Sequence, residues 1–119
     1  MTLQPPPPSK NQKLQQFDLE VRGGGWKVLA GVDEAGRGPL AGPVVSAAVI
    51  VRDPSAPFSS RVNDSKKLSA SARDKAFDEI QARCVVSVSV RDAARIDEIN
   101  IYEATLESMR EAVDRLSEK

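Results

Sequence analysis

The chain has 119 residues with 17 basic and 17 acidic side chains, so its formal net charge is zero. Hydrophobic residues make up 40% of it and charged residues 29%, which is typical of a globular domain and argues against a wholly disordered chain. A single cysteine excludes an internal disulfide and a cysteine-based zinc cluster, and the absence of histidine excludes Ser-His and Cys-His pairs and His-ligated metal sites. Any chemistry must therefore rest on carboxylates, lysines, hydroxyls or backbone groups. The balanced charge does not by itself indicate a nucleic-acid partner.

The first 16 residues, which include Pro5 to Pro8, are rich in proline and polar side chains. Such a segment is typical of a disordered or polyproline-II tail, and a ligand for a proline-recognising domain is the less favoured alternative. The N-terminus lacks the apolar core of a secretory signal, and the nearly apolar stretch 43–51 is about half as long as a membrane-spanning helix. We therefore expect a cytoplasmic chain without a membrane partner, whose ordered domain covers residues 17–119.

Three strands are predicted after the tail. Residues 28–33 and 44–51 are apolar on both alternating faces, which is typical of strands covered on both sides. Residues 84–90 alternate more cleanly between valine and serine, which predicts a strand with one face nearer water. Short connections favour antiparallel pairing, with helices laid on the sheet.

Two helices complete the predicted order. Residues 71–83 begin with a capping box and have an apolar face, so they predict a short helix. One long helix is predicted from about Arg95 to Ser117, and it presents an apolar stripe of Ile99, Tyr102, Leu106, Met109, Val113 and Leu116. A coiled coil gives the same stripe, but the strands need a cover, so we expect the stripe, including Tyr102, to lie in the core. Glu111 and Arg115 have the spacing of an ion pair within one helix.

An acidic pair, Asp33 and Glu34, lies at the end of the first predicted strand. Neighbouring strand residues point to opposite faces, so at least one carboxylate points toward covered space unless the strand ends between them. A buried carboxylate needs a cation, a donor or a metal ion. Two interpretations stay open: a salt bridge, for instance to Arg37 or Lys67, or a metal site. Since no soft ligand is near, the metal interpretation favours magnesium or manganese.

The turn after the acidic pair contains Gly36, Arg37 and Gly38. Two glycines let the backbone approach a ligand closely, and backbone donors with one guanidinium can hold a phosphate or a sugar hydroxyl. The alternative is a turn that simply needs two glycines. A dinucleotide-binding turn is disfavoured because Pro39, Pro43 and a β-branched strand follow where that motif requires a helix.

Three motifs together resemble bacterial ribonuclease HII. They are GVDEAGRGPLAGPVV at 31–45, DSKKLS at 64–69, and IDEINI at 96–101 followed by an alanine and a threonine. They stand in the order of that family, and the likeness covers about residues 17–117. The resemblance implies an RNase H-like α/β fold, with a mixed sheet whose first three strands are antiparallel and with flanking helices.

The function that this resemblance implies is endoribonuclease activity. Members of the family cut the RNA strand of RNA–DNA hybrids and incise duplex DNA at single embedded ribonucleotides, leaving a 3′-hydroxyl and a 5′-phosphate. The resemblance further implies two Mn²⁺ or Mg²⁺ ions that activate water and stabilise the leaving oxygen. Position by position, it implies catalytic and metal-binding roles for Asp33 and Glu34, sensing of the ribose 2′-hydroxyl by Gly36, Arg37 and Gly38, and substrate contact by Lys66 and Lys67.

One departure from the family is large. Ribonucleases HII place further catalytic aspartates, and a substrate-sensing tyrosine, beyond this long helix, whereas this sequence ends at Lys119. Asp92, Asp97 and Asp114 do not stand at corresponding strands. We therefore expect the N-terminal half of a ribonuclease HII, truncated after its first long helix and monomeric. The alternatives are an inactive fragment that only binds hybrid duplexes, and a chain without autonomous function that aggregates through its exposed sheet edge.

Overall fold

The computed structural model describes residues 19–20, 24, 28–36, 42–59 and 67–119. Its elements, in chain order, are β1 (Ala30–Ala35), β2 (Val44–Val51), α1 (Ala70–Arg83), β3 (Cys84–Arg91), α2 (Ala93–Ile99) and α3 (Ile101–Leu116). The predicted tail lies outside the described residues. No helix in the described ranges has the length and apolarity needed to span a membrane.

The three strands form one antiparallel sheet in the order β1-β2-β3, as predicted. Together with the strands, residues 93–119 form one compact unit, in which α3 packs on all three strands. The α/β class of the prediction is therefore confirmed. The central strand β2 contains no exposed residue, because it pairs on both sides and lies under α3.

The helix α3 covers the serine face of β3, and the valine face is the more exposed one. Ser46 of β2 is opposite Ser89 of β3, and both are fully buried on the face where α3 packs. The other face of β3 carries Val88 and Val90, which are 45% and 52% exposed. One face of β3 does lie nearer water, as expected, but it is the valine face. The small serine side chains allow α3 to approach the sheet closely, and their hydroxyls form hydrogen bonds with side chains of α3.

The first strand was predicted to be covered on both sides, and this is wrong. In β1, five of the six residues are exposed, among them Val32, which remains 41% exposed on the face where α3 packs. The reason is position: β1 is the edge strand of the sheet, and α3 lies mainly over β2 and β3. An apolar run alone does not distinguish an edge strand from a central one.

The predicted long helix is two helices. Asn100 separates α2 from α3 with a φ of +77°, a left-handed value that asparagine tolerates better than most residues. Its backbone N–H donates to Ile96 O at 2.7 Å, which closes α2. Its side-chain oxygen accepts from the backbone N–H of Glu103 at 3.0 Å, which caps α3. One asparagine thus ends one helix and begins the next.

The face of α3 that packs on the sheet coincides with the predicted stripe only at Leu116, which is buried. The buried residues of α3 are small, except for the last: Ala104, Thr105, Ser108, Ala112 and Leu116. Of the predicted stripe, Tyr102 is 59% exposed, and Leu106 and Val113 are 38% and 43% exposed. Small side chains allow the helix axis to lie close to the sheet. The periodicity of apolar residues did not reveal this face, because the buried positions are distinguished by small side chains as well as by hydrophobicity.

A second unit contains α1 and the segment 52–59 before it. The Arg83 guanidinium donates to the carbonyl oxygens of Pro57 at 2.8 Å and Ala56 at 2.5 Å, and it pairs with Glu79 at 3.2 Å. The helix begins at Ala70, and its first turn is capped by Ser69 Oγ, which accepts from Ala72 N–H at 3.1 Å. The capping box predicted two residues later is therefore wrong.

Candidate functional site

The acidic pair lies on β1, one residue before its end. Asp33 is opposite Ala47 of β2, and Glu34 is opposite Ser46. Residues directly opposed in an antiparallel pair share a face, so Glu34 lies on the face covered by α3 and Asp33 on the valine face. In agreement with this placement, Glu34 is half-buried and Asp33 is exposed. The alternation expected from the sequence therefore holds.

The Asp33 carboxylate reaches the free edge of the strand. Its Oδ1 accepts a hydrogen bond from the backbone N–H of Glu34 at 2.9 Å. This N–H consequently faces away from β2, toward the edge where no described strand pairs with β1. The acidic pair thus occupies the open edge of the sheet, near its end. Asp33 makes no ion pair with any described residue, so among these residues the salt-bridge interpretation finds no support for it.

Gly36 follows the strand in a conformation that requires glycine. Its φ is +96°, and a Cβ atom built on it would lie 2.3 Å from the carbonyl oxygen of Pro43. The end of β1 therefore approaches the start of β2 more closely than any side chain at this position would allow. Arg37 and Gly38, predicted to act with Gly36, lie outside the described residues.

The two lysines predicted to contact substrate are placed only in part. Lys67 is exposed just before α1, and it makes no ion pair with a described residue. Lys66 lies outside the described residues. An exposed lysine of this kind is compatible with phosphate contact and equally with a solvated loop.

The donor chemistry of the acidic pair suits a hard divalent cation. Asp33 and Glu34 supply carboxylate oxygens, which magnesium and manganese prefer. Within the part of the chain that the structure describes, no group of three or more acidic, cysteine or histidine side chains converges. Magnesium is commonly held by one or two carboxylates together with water and substrate phosphates, so the pair fits a shared site and not a closed protein cage.

A second set of acidic residues lies at the opposite side of the sheet and is neutralised. Glu107 pairs with Arg91 and Arg95, both at 2.8 Å, and Glu111 pairs with Arg91 at 2.5 Å. The predicted pair of Glu111 with Arg115 is confirmed, at 2.5 Å. Sequence reasoning missed the arginines of β3 and α2, because their contacts join elements that are distant in the chain.

The pKa values of this set follow from its geometry. Hydrogen bonds from Arg95 and then Arg91 lower the pKa of Glu107 to about 2. Hydrogen bonds from Ser89 and then Arg91 lower the pKa of Glu111. Hydrogen bonding to Glu107 raises the pKa of both arginines. These carboxylates stay ionised and occupied by cations of the protein itself, so they are poor candidates for binding a metal ion.

Comparison with known proteins identifies relatives over nearly the whole chain. A sequence model of the family described as ribonuclease HII matches residues 30–119. The chain is 54% identical over 104 residues to a ribonuclease HII of Geotalea daltonii, covering 87% of the chain and 47% of that protein. It is 50% identical over 111 residues to one of Geotalea uraniireducens, covering 92% of the chain and 50% of the relative. With one of Listeria monocytogenes, the identity is 45% over 109 residues, covering 91% of the chain and 41% of the relative. The chain spans about half the length of the curated relatives it matches.

Proposed function

The chain belongs to the ribonuclease HII family, and we propose that it supplies part of the active site of an endoribonuclease. The substrates are RNA–DNA hybrids, cut in the RNA strand, and duplex DNA incised at single ribonucleotides. The products carry a 3′-hydroxyl and a 5′-phosphate. The observation that carries this proposal is the acidic pair at the edge of β1 that no described strand pairs with, followed two residues later by Gly36, where a Cβ atom would collide with Pro43 O.

In this proposal, Asp33 and Glu34 hold the divalent cations, Mn²⁺ or Mg²⁺. When bound, the ions activate the attacking water and stabilise the leaving 3′-oxygen. The chain contributes by placing the two carboxylates: β1 carries Asp33 on one face of the sheet and Glu34 on the other, both near the end of the strand. Support comes from the exposed Asp33 carboxylate, which has no cationic partner among the described residues and remains available to an external cation.

The turn after β1 gives the site its preference for RNA. Gly36, Arg37 and Gly38 bring the backbone to the ribose and recognise its 2′-hydroxyl, which distinguishes RNA from DNA. The closed Cβ position of Gly36 supports this role, since it fixes the end of β1 and the start of the turn. Lys66 and Lys67 contact substrate phosphates. We further propose that the protein acts in the cytoplasm and does not associate with copies of itself.

A second candidate function is binding of hybrid duplexes without cleavage. It is favoured by one observation, that no third acidic residue joins the pair among the described residues. Binding through Gly36, Arg37, Gly38 and the lysines would then be independent of divalent cations and would weaken steeply with salt. Cation-dependent binding that Asp33→Asn abolishes would instead favour the catalytic proposal.

The test is a chimera in which this chain replaces the matched region of the Geotalea daltonii relative. We expect incision 5′ of a single ribonucleotide in duplex DNA, dependent on Mg²⁺ or Mn²⁺. Asp33→Asn should abolish incision, whereas Asp114→Asn, which changes an exposed acid of α3, should leave it intact. A folded chimera that incises equally well with Asp33→Asn would refute the role of the acidic pair. The chain alone, assayed beside it, reports whether cleavage needs more than these residues.

A further inference from the structure

A polar cluster holds the segment 52–59 against the last two turns of α1. At its centre is Arg83, whose guanidinium donates to the carbonyl oxygens of residues 56 and 57. The guanidinium carbon also lies 4.2 Å from the centroid of the Phe58 ring, which is within the range of a cation–π contact. Because Pro54 and Pro57 have no backbone N–H, this segment has few donors of its own, and one arginine side chain fixes its path.

Glu79 extends the cluster to the end of this segment. Its carboxylate pairs with Arg83 at 3.2 Å and accepts from both the backbone N–H and the hydroxyl of Ser59, at 2.6 Å and 3.0 Å. Two charge-assisted bonds to one residue fix its backbone and its side chain together. The side chains of Glu79 and Arg83 are only 12% and 23% exposed, so solvent screens their contacts less than those of a fully exposed ion pair.

Apolar burial contributes little to holding α1. Within this helix Ala76 is the one buried residue, and the neighbouring Phe77 is 60% exposed. Most helices in proteins owe their stability to the packing of an apolar face. In α1 the polar contacts of Glu79 and Arg83 therefore contribute an unusually large share of the attachment between the helix and the segment 52–59.

Lys67 lies on the chain between two attachments to this helix. On one side Ser59 is bonded to Glu79, and on the other Ser69 caps the first turn through the N–H of Ala72. Residues 72 and 79 are about 10 Å apart along the helix axis. With both ends fixed on α1, the connection from Ser59 to Ser69 forms a closed loop, and closing a loop restricts the positions that Lys67 can adopt.

We infer that Glu79, oriented by Arg83, is a positioning residue for Lys67. By holding Ser59 on α1, Glu79 restricts the chain that leads to this lysine and places its ammonium group to meet a phosphate of the nucleic-acid substrate. The exposed position of Lys67 just before α1 leaves its side chain accessible to such a phosphate. The inference rests on the proposed function in one respect, namely that Lys67 contacts substrate phosphates.

The charge of Glu79 separates this role from a purely electrostatic effect. Removing an acidic side chain makes the chain more positive, and by charge alone this should strengthen its binding to nucleic acid. Loss of a positioning residue should weaken binding, because Lys67 then has to be ordered when the substrate binds. The two effects have opposite signs, so the direction of the change in affinity decides between them.

The experiment titrates a fluorescein-labelled RNA–DNA hybrid with the full chain and its variants, in EDTA and at several salt concentrations, and records fluorescence anisotropy. We expect Glu79→Ala to weaken binding roughly three- to tenfold and to reduce the salt slope by about one, as Lys67→Ala should also do. In the Lys67→Ala background, Glu79→Ala should have no further effect.

Two control variants remove the same charge without removing the contact. Glu79→Gln keeps an acceptor oxygen for Ser59 N–H, so it should bind the hybrid about as tightly as the wild type. Asp78→Ala changes the neighbouring exposed acid of α1 and should bind at least as tightly as the wild type. Nuclear magnetic resonance without nucleic acid supplies a second readout, in which Glu79→Ala should shift the amide signal of Lys67 and Asp78→Ala should not.

The outcomes separate this inference from the proposed function. Weaker binding by Lys67→Ala together with unchanged or tighter binding by Glu79→Ala would overturn the inference alone, and so would additive losses or an unmoved Lys67 signal. A wild-type chain that does not bind the hybrid, or a Lys67→Ala variant that binds like the wild type, would refute the lysine contact of the proposed function and the inference with it. Alanine is favourable inside a helix, so Glu79→Ala should stay folded, which thermal melts check.

Discussion

The two edges of the sheet carry acidic residues in opposite circumstances. Near β3, Glu107 and Glu111 are held by arginines from three different elements, and cationic side chains also occupy the outward carbonyl oxygens of the strand. At β1, Asp33 bonds only to the neighbouring backbone N–H among the described residues. Acidic side chains are thus held by cations of the protein near β3, whereas Asp33 has no cationic partner among the described residues. This difference supports the proposal that the β1 edge carries the function.

The largest expected effect concerns the end of the open edge. Gly36→Ala should destabilise the fold by about 3 kcal/mol or more, because alanine is strained at a φ of +96° and its Cβ would meet Pro43 O. Thermal or urea unfolding measures the change. Gly31→Ala, within β1 and with no atom within 4 Å of the added Cβ, is the control and should change stability little. Equal effects of the two substitutions would show that the close approach at Gly36 is unimportant.

The buried hydroxyls between sheet and helix give the next largest effect. Ser46 Oγ and Ser108 Oγ lie 2.5 Å apart, and Ser108 Oγ also donates to Thr105 O at 2.9 Å. Ser108→Ala leaves the Ser46 hydroxyl buried without another described partner and should cost about 2 kcal/mol. Ser46→Ala leaves Ser108 bonded to Thr105 and should cost about 1 kcal/mol or less.

A double-mutant cycle checks this asymmetry. The variant with alanine at both 46 and 108 should be more stable than the sum of the single losses predicts, because no hydroxyl is left unpaired. Strict additivity in urea unfolding would contradict a direct bond between the two serines.

These two predictions also show what the sequence could and could not reveal. The three strands and the alternation of Asp33 and Glu34 were predictable, because each depends on local patterns of two to eight residues. The antiparallel order was inferred from the connections between the strands. The buried face of α3 was not, because Ser108 and Ala112 are selected for their small size against a sheet whose serines come from elsewhere in the chain. The periodicity of apolar residues instead selected Tyr102, Leu106 and Val113, which stay exposed, and it was right on α3 only for the buried Leu116.

The same difference between local and long-range contacts applies to the candidate site. The acidic pair and the need for glycine at Gly36 followed from local sequence and are compatible with the geometry. The closure of the β3 edge by Arg115 and Lys119 did not follow, because it joins the end of a helix to a strand about 30 residues earlier. Long-range polar contacts of this kind leave no periodic signal in a sequence.

Removing the cationic side chains that cover the outward carbonyl oxygens of β3 should have a smaller effect on stability than the substitutions above. The double substitution Arg115→Ala and Lys119→Ala frees the carbonyls of Val88 and Val86, and because both side chains are solvent-accessible we expect a loss of less than about 1 kcal/mol. Self-association, measured by analytical ultracentrifugation, should increase, since a second edge becomes available. Arg110→Ala, on an exposed arginine of the same helix, should not change it. An unchanged sedimentation profile of the double variant would mean that the two cations do not protect the edge.

The smallest effect is the pH dependence of the ion-pair network. The pKa of Glu107 is about 2 in the folded chain and 4.5 for an unperturbed glutamate, so the folded state favours the ionised form. This contribution to stability is complete above about pH 4.5 and is lost as pH falls toward 2. Glu107→Gln should flatten the fall in melting temperature over that window, whereas Glu103→Gln should not. A wild-type melting temperature that is constant from pH 5 to about pH 2 would contradict the network.

The contrast between the two acidic edges is tested most directly by titrating the full chain with Mn²⁺ and recording the broadening of backbone amide signals by nuclear magnetic resonance. We predict that broadening is strongest at Asp33, Glu34 and Gly36 from the first additions of Mn²⁺, and that it is weaker at Val88 and Val90, which lie two strands away. The Asp33→Asn variant should lose the effect. Broadening centred on Glu107 and Glu111, or unchanged broadening in Asp33→Asn, would contradict the assignment of function to the open edge of β1.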